Sequence, residues 1–141
     1  MLGGSVKAVN NAKKPLQSPC EVAAREIMPS IRASIAYVLT TEMGLSKYEV
    51  ARLLGLTPAA ISNYLERKRG DKYFDQIVKD PRSMAMVKEA ASLVLMAWFD
   101  DKASQQFQYI TCTICSSINE AAKRYGCHFL RSLGSAEGLK H

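Results

Sequence analysis

Apolar residues recur at three- and four-residue spacing through most of this chain, and nowhere in sustained strand-like alternation. Ile27, Ile31, Ile35, Val38, Leu39 and Met43 form the first stripe, the set that one face of a helix collects. Pro29 suits a first helical turn and Gly44 a helix stop, so the pattern predicts a helix over about residues 28–43. Ser46-Lys47-Tyr48-Glu49 then has the capping-box form: a Ser hydroxyl takes the third amide and Glu reaches back. Val50, Leu53 and Leu54 supply that helix's buried stripe and Gly55 ends it. Thr57 caps a further helix with Pro58 at its first position, where no amide hydrogen is required. Ala60, Ile61, Tyr64 and Leu65 form its buried face, and Arg67-Lys68-Arg69 precedes Gly70.

Beyond Gly70 the period stays helical. A short helix is expected over 71–79. Asp80-Pro81, a cap followed by a first-turn proline, opens a longer one to about Phe99. Met84, Val87, Ala91, Val94, Leu95 and Trp98 lie on one side of it. From Ala90 to Phe99 it is apolar nearly all round, which suggests burial between subunits. Asp100-Asp101-Lys102 marks an interruption. A last stretch carries Phe107, Ile110, Ile114, Ile118, Ala121, Ala122 and Tyr125 and stops at Gly126. The fold class is therefore all-α. Residues 1–19, rich in Gly, Asn, Lys and Pro, are expected to be a flexible basic arm. Residues 20–72 are expected to be a helix-turn-helix domain, and residues 73–141 a helical region for dimerisation and cysteine chemistry. The tail from Gly134 is small and polar.

Composition narrows the class. The chain has 141 residues, 48% hydrophobic and 23% charged, with only 5 Pro and 8 Gly, as in a globular protein. Its longest apolar run falls far short of the roughly 20 residues that cross a bilayer, and its first twenty residues have no signal-peptide core. A cytoplasmic protein without membrane contact is expected. The net charge is +6, and residues 1–19 hold three lysines and no acid. Such a balance favours a polyanionic partner. An enzyme is not expected: no paired carboxylates or nucleophile–base set stands out, and no small-molecule substrate is inferred. The Cys112-x-x-Cys115 pair lacks the βαβ setting of a thiol oxidoreductase.

Residues 46–66 are the most informative. A small residue, Ala51, lies four positions before Gly55, and Gly55 takes a backbone angle other residues resist. Ile61 and Tyr64 lock the second helix onto the first. Such a pair presents its second helix to the major groove of double-stranded DNA. Its outer face carries Thr57, Pro58, Ala59, Ser62, Asn63 and Arg67. Asn pairs with adenine, Arg with guanine, and Ala meets a thymine methyl. Arg67, Lys68 and Arg69 are also placed to hold phosphates, and Ser46 and Lys47 complete the expected DNA-facing set. The alternative is an adaptor or antitoxin-like module that contacts proteins.

The stretch LSKYEVARLLGLTPAAISNYLERKRG resembles the Cro/C1-type (XRE) helix-turn-helix regulators. With PCE and IMPSIRASIAYVLTTEMG before it, it is similar to an archaeal subset. That subset includes stand-alone regulators and the DNA-binding domain fused to archaeal thiamine-phosphate synthase domains. The likeness covers about residues 19–70. It implies a lambda-repressor-like fold and a homodimeric repressor whose recognition helix is Thr57 to Glu66. Pro58 departs from the pattern, where the family commonly has Gln. The synthase activity does not carry over, because no phosphate-binding glycine loop is present.

Four cysteines remain. Cys112 and Cys115 form a C-x-x-C pair, Cys127 follows after eleven further residues, and Cys20 stands far upstream. In a reducing compartment such a set points to metal chemistry before disulfides. The order single, pair, single suits an iron–sulfur cluster, [4Fe-4S], better than zinc, which usually takes two pairs. Zinc, inert buried thiols and a thiol switch stay open, and His128 is an alternative ligand. The neighbourhood of Cys115 and Ile118 suggests that the pair opens a helix, where amide dipoles favour thiolates.

Overall fold

The structure, a computed structural model, describes residues 18–125 and Cys127. The basic arm before Ser18, the stop at Gly126, His128 and the tail from Gly134 lie outside the described residues. Every regular element among the described residues is helical.

Ser18 caps α1 (Pro19–Val22), its hydroxyl accepting from the Glu21 amide at 3.2 Å. The chain continues through a π-helical turn, Ala23–Ile27, into α2 (Met28–Thr41). Helical sequence thus begins well before the predicted residue 28. The π turn has a local cause. Pro29 has no amide hydrogen for the carbonyl four residues back, and its ring would press on that oxygen. The ladder widens instead, and the Met28 amide donates to the Ala23 carbonyl five residues away.

Three further helices start where their caps predict, and a fourth starts at Asp100, expected only as an interruption. In α3 (Lys47–Leu54) the full capping box forms: Ser46 Oγ accepts from the Glu49 amide at 3.2 Å, and the Glu49 carboxylate from the Ser46 amide at 3.1 Å. Thr57 caps α4 (Pro58–Leu65), accepting from the Ala60 amide at 3.1 Å. After α5 (Phe74–Lys79), Asp80 caps α6 (Pro81–Met96) by accepting from the Ser83 amide and hydroxyl. Asp100 opens α7 (Asp101–Ile118). The last predicted stretch is broken at Asn119, after which comes α8 (Glu120–Tyr125).

The helix α2 is the axis. Its Ile31, Ala33, Ile35, Ala36, Val38 and Leu39 are buried, and it packs against α4, α5, α6 and α7. Val50, Ile61, Tyr64, Phe74, Ile77, Val87, Ala91, Val94, Ile114 and Ile118 join the same apolar cluster. The two regions expected to meet near residue 72 therefore share one core. Each fully buried Ile or Leu contributes about 1.5–3 kcal/mol. A polar tie adds to it: the buried Ser30 hydroxyl accepts from the Tyr73 amide at 3.0 Å.

Leu95, inside α6, and Trp98, just beyond its end, are 38% and 59% exposed on this chain. Among the described residues, no helix is long and apolar enough to cross a membrane.

Candidate functional site

Two regions carry candidate chemistry, and α2 connects them. The first is the corner between α3 and α4. Gly55 lies at φ +68°, and the reversal lets the Leu56 amide donate to the Ala51 carbonyl at 2.8 Å. Ala51 is buried, as the close approach of the two helices demands. On α4, Ile61 and Tyr64 face the core. Thr57, Ala59 and Asn63 are exposed, and Pro58 and Ser62 half-buried. Leu65, expected inside, is 37% exposed. Ser46 and Lys47 are exposed at the start of α3, with the Ser46 hydroxyl engaged by its cap. Beyond α4, Arg69 is exposed, and Lys68 reaches the Glu66 carboxylate at 3.0 Å.

Arg67 departs from the expected role. It sits at φ +64°, which swings its side chain away from the face of α4. Its Nε donates to Asp71, its Nη2 to Asp75 at 3.0 Å, and its guanidinium lies 4.3 Å from the centre of the Phe74 ring. Its Nε edge and one face of the guanidinium are thus engaged within the chain, while the side chain stays 41% exposed. Arg67 fastens the end of α4 to α5.

The second region is a pocket of about 220 Å³ where α1 and the π turn meet α7 and α8. Cys20, Cys112, Cys115 and Cys127 all line it, although Cys20 and Cys127 are more than a hundred residues apart. Pro19, Ala23, Ala24, Met28 and Ala122 make up most of the remaining wall, which is overwhelmingly apolar. None of the four thiols is in a disulfide. Burial pushes the Cys112 thiol above its ordinary value, and the Cys127 and Cys20 sulfurs push the same way. Burial likewise raises Cys115, the other three sulfurs add to it, and a hydrogen bond from Asn119 opposes them. Two thiols, Cys112 and Cys115, thus resist ionising within the pocket, a penalty that a bound cation would relieve.

The cysteine pair does not open a helix. Cys112 and Cys115 occupy the last two turns of α7, at the negative end of its dipole. The helix start was misplaced because the period continues unbroken back to Asp101. Sequence reasoning also passed over Asn119. This residue is 2% exposed, and its Nδ2 lies 2.9 Å from the Pro19 carbonyl and 3.8 Å from Cys115 Sγ. Its Oδ1 accepts from the Ala122 amide at 3.1 Å. The signal was an Asn directly before Glu120, a capping pattern that ends one helix and begins another.

Among the described residues, no group of three or more His, Cys, Asp or Glu side chains is drawn together tightly enough to hold a metal ion. A single tetrahedral zinc, with Zn–S of about 2.3 Å, needs its sulfurs within about 3.8 Å of one another.

What fold and site define together is an all-helical protein with an exposed polar helix face and a separate four-thiol pocket. No protein-family model, curated protein or solved structure matches the chain.

Proposed function

We propose that this chain is a sequence-specific DNA-binding transcriptional regulator. Its helix-turn-helix is of the lambda-repressor-like type, and it works as a homodimeric repressor tuned by a [4Fe-4S] cluster on Cys20, Cys112, Cys115 and Cys127. The observation that carries the reading is α4. Its apolar residues are locked inward by Ile61 and Tyr64, while Thr57, Ala59 and Asn63 stand in solvent. That is the division of labour a major-groove helix needs. Asn63 is the base reader, suited to adenine, and Ala59 is the contact for a thymine methyl. Lys47, Lys68 and Arg69 flank the helix and take phosphates. The likeness of residues 45–70 to Cro/C1-type regulators supports the same reading.

The proposed dimer presents its two recognition helices to half-sites about 34–36 Å apart. The face for it is the groove of about 430 Å³ lined by Leu45, Leu53, Leu95, Trp98 and Phe99, with Glu49 and Arg52 at its polar side. Phe99 is 92% exposed beside it, so groove and protruding ring share one surface, as a two-fold contact requires.

The pocket reaches this apparatus through α2. Met28 lines the pocket and begins the helix against which α4 packs, and Cys20 lies on the same helical run. When bound, a cluster supplies an oxidisable, oxygen-sensitive crosslink between the chain's beginning and its last helices. Holding Cys20 to α7 fixes the N-terminal run of α2, and so the pose of α4. Replacing Cys115 with Ser in anaerobically purified protein tests this reading. Iron and sulfide content and operator affinity are expected to fall together. Unchanged values of both contradict the cluster reading, and colourless wild-type protein carrying zinc contradicts it in favour of the smaller ion.

A further inference from the structure

A further cavity, of about 190 Å³, opens between α2, α4 and α5, with none of the cysteines in its wall. It is lined by Tyr37, Tyr64, Leu65, Arg67 and Phe74. Three rings make it an aromatic cleft, and Tyr37 meets Phe74 edge to face with centroids 5.8 Å apart. Two polar groups accompany the rings. Tyr64 is 2% exposed, yet among the described residues its hydroxyl has no hydrogen-bond partner and is not sealed from solvent. A buried tyrosine hydroxyl ordinarily finds a partner. The second group is the Arg67 guanidinium. Its bonds to Asp71 and Asp75 use two of its N–H groups, and others remain. Its φ of +64° is kept only where surrounding contacts over-determine the backbone, as the two aspartates and the Phe74 ring do here.

We propose that this cleft is a binding site for a small uncharged aromatic ring bearing a carbonyl or carboxamide. Size sets the ring count. An engineered apolar cavity of about 150 Å³ takes up benzene, so one of about 190 Å³ suits a single six-membered ring with a short substituent. The ring lies against Tyr37 and Phe74 in the offset or edge-on contacts that aromatic pairs prefer. The substituent's oxygen accepts from the Tyr64 hydroxyl and from a remaining Arg67 N–H. Charge decides against a carboxylate. Asp71 and Asp75 already set two negative charges against the one on Arg67, so a third would meet repulsion and a neutral acceptor meets none. The walls are fixed before binding, since Tyr64 belongs to the core and Arg67 is fastened to α5, so little ordering cost opposes occupancy. Tyr64 and Leu65 lie in the last turn of α4, and an occupant ties the end of that helix to α2 and α5.

Benzamide is the probe, titrated into the full chain and followed by calorimetry and by the NMR signals of rings and methyl groups. No DNA is present, so the result stands apart from the reading of α4 as a recognition helix. Saturable binding is expected with a dissociation constant below about 1 mM. Signal shifts are expected to gather at Tyr37, Tyr64, Leu65 and Phe74. Benzoate is expected to bind several-fold more weakly. Tyr64→Phe removes the hydroxyl, keeps the buried ring and is expected to weaken benzamide binding about 2–10-fold. Leu65→Trp, at a position 37% exposed, is expected to fill the cleft and abolish binding with circular dichroism unchanged. Absence of saturable binding up to the solubility limit of benzamide overturns the proposal, as does a dissociation constant unmoved in both variants. If Leu65→Trp loses its helical signal, Tyr64→Phe decides alone. Benzoate binding as tightly as benzamide overturns the assignment to an uncharged ligand.

Discussion

Gly70 faces the backbone of Pro29 so closely that a β-carbon on it would lie 2.5 Å from the Pro29 carbonyl oxygen. Its φ of +73° is also one that side chains resist. The loop leaving α4 is thereby seated on the first turn of α2, one residue from the pocket-lining Met28. Gly55 has a similar φ, +68°, but open space around it. Gly55→Ala is expected to destabilise by about 1–2 kcal/mol, from backbone strain alone. Gly70→Ala is expected to cost well beyond that, since a backbone oxygen cannot step aside as a flexible side chain would. Chemical denaturation of the two variants gives the comparison. Equal losses contradict the close seat of the loop on α2.

The caps predict a response to acid. The Ser46 amide and hydroxyl hold the Glu49 carboxyl below its ordinary range, and the Ser83 hydroxyl and amide do the same for Asp80. Below the ordinary carboxylate range the unfolded chain binds protons that the folded chain refuses, so stability rises with pH there. The contribution is complete above the unfolded value, about 4, and is lost as pH falls through the lower folded values. Glu49→Gln and Asp80→Asn are each expected to flatten the acid limb of a stability–pH curve. A limb as steep as the wild type's in both contradicts these caps. Ser46→Ala, which removes the hydroxyl of α3's capping box, is expected to cost about 1 kcal/mol near neutral pH.

On DNA, base readers and phosphate holders separate by their salt behaviour. Asn63→Ala is expected to lose about 1–3 kcal/mol of specific affinity and to relax preference at one base pair. Lys68→Ala is expected to weaken binding to all duplexes alike and to reduce the salt slope by about 1 per subunit. Arg67→Ala is expected to act differently from both. Its bonds to Asp71 and Asp75 place it in the junction of α4 and α5, so its loss shows in stability and leaves sequence preference intact. Anisotropy titrations at several salt concentrations distinguish the three patterns.

The proposed dimer face predicts a change of mass. Trp98→Ala combined with Phe99→Asp places a charge where the apolar groove and ring would meet their two-fold mates. Light scattering is expected to give a dimer for the wild type and a monomer for the double variant, with unchanged helical content. A monomeric wild type at micromolar concentration contradicts this interface.

Much of the helical frame was legible because caps are local. Ser46, Thr57 and Asp80 each announce a helix by a side-chain oxygen and the residues just after it, and each cap forms. Number and spacing single out the four cysteines as a candidate set, and all four line one pocket. What the sequence hid depends on residues distant along the chain or on the exact path of the backbone. The π turn follows from what Pro29 does to a helix that begins earlier than its apolar stripe. Arg67 looked like a continuation of the basic run, since nothing local says that its backbone reverses toward Asp71 and Asp75. Asn119 finds Pro19 across a hundred residues, a pairing no window of sequence contains.

Selection from a random duplex library with anaerobically purified protein, followed by sequencing, tests most directly whether α4 reads DNA. The expected result is a two-fold symmetric motif whose half-sites are spaced by about one helical turn, 34–36 Å, with enrichment lost in Asn63→Ala. A pool without any enriched sequence, or a motif that Asn63→Ala selects equally well, contradicts the assignment of α4 as the recognition helix.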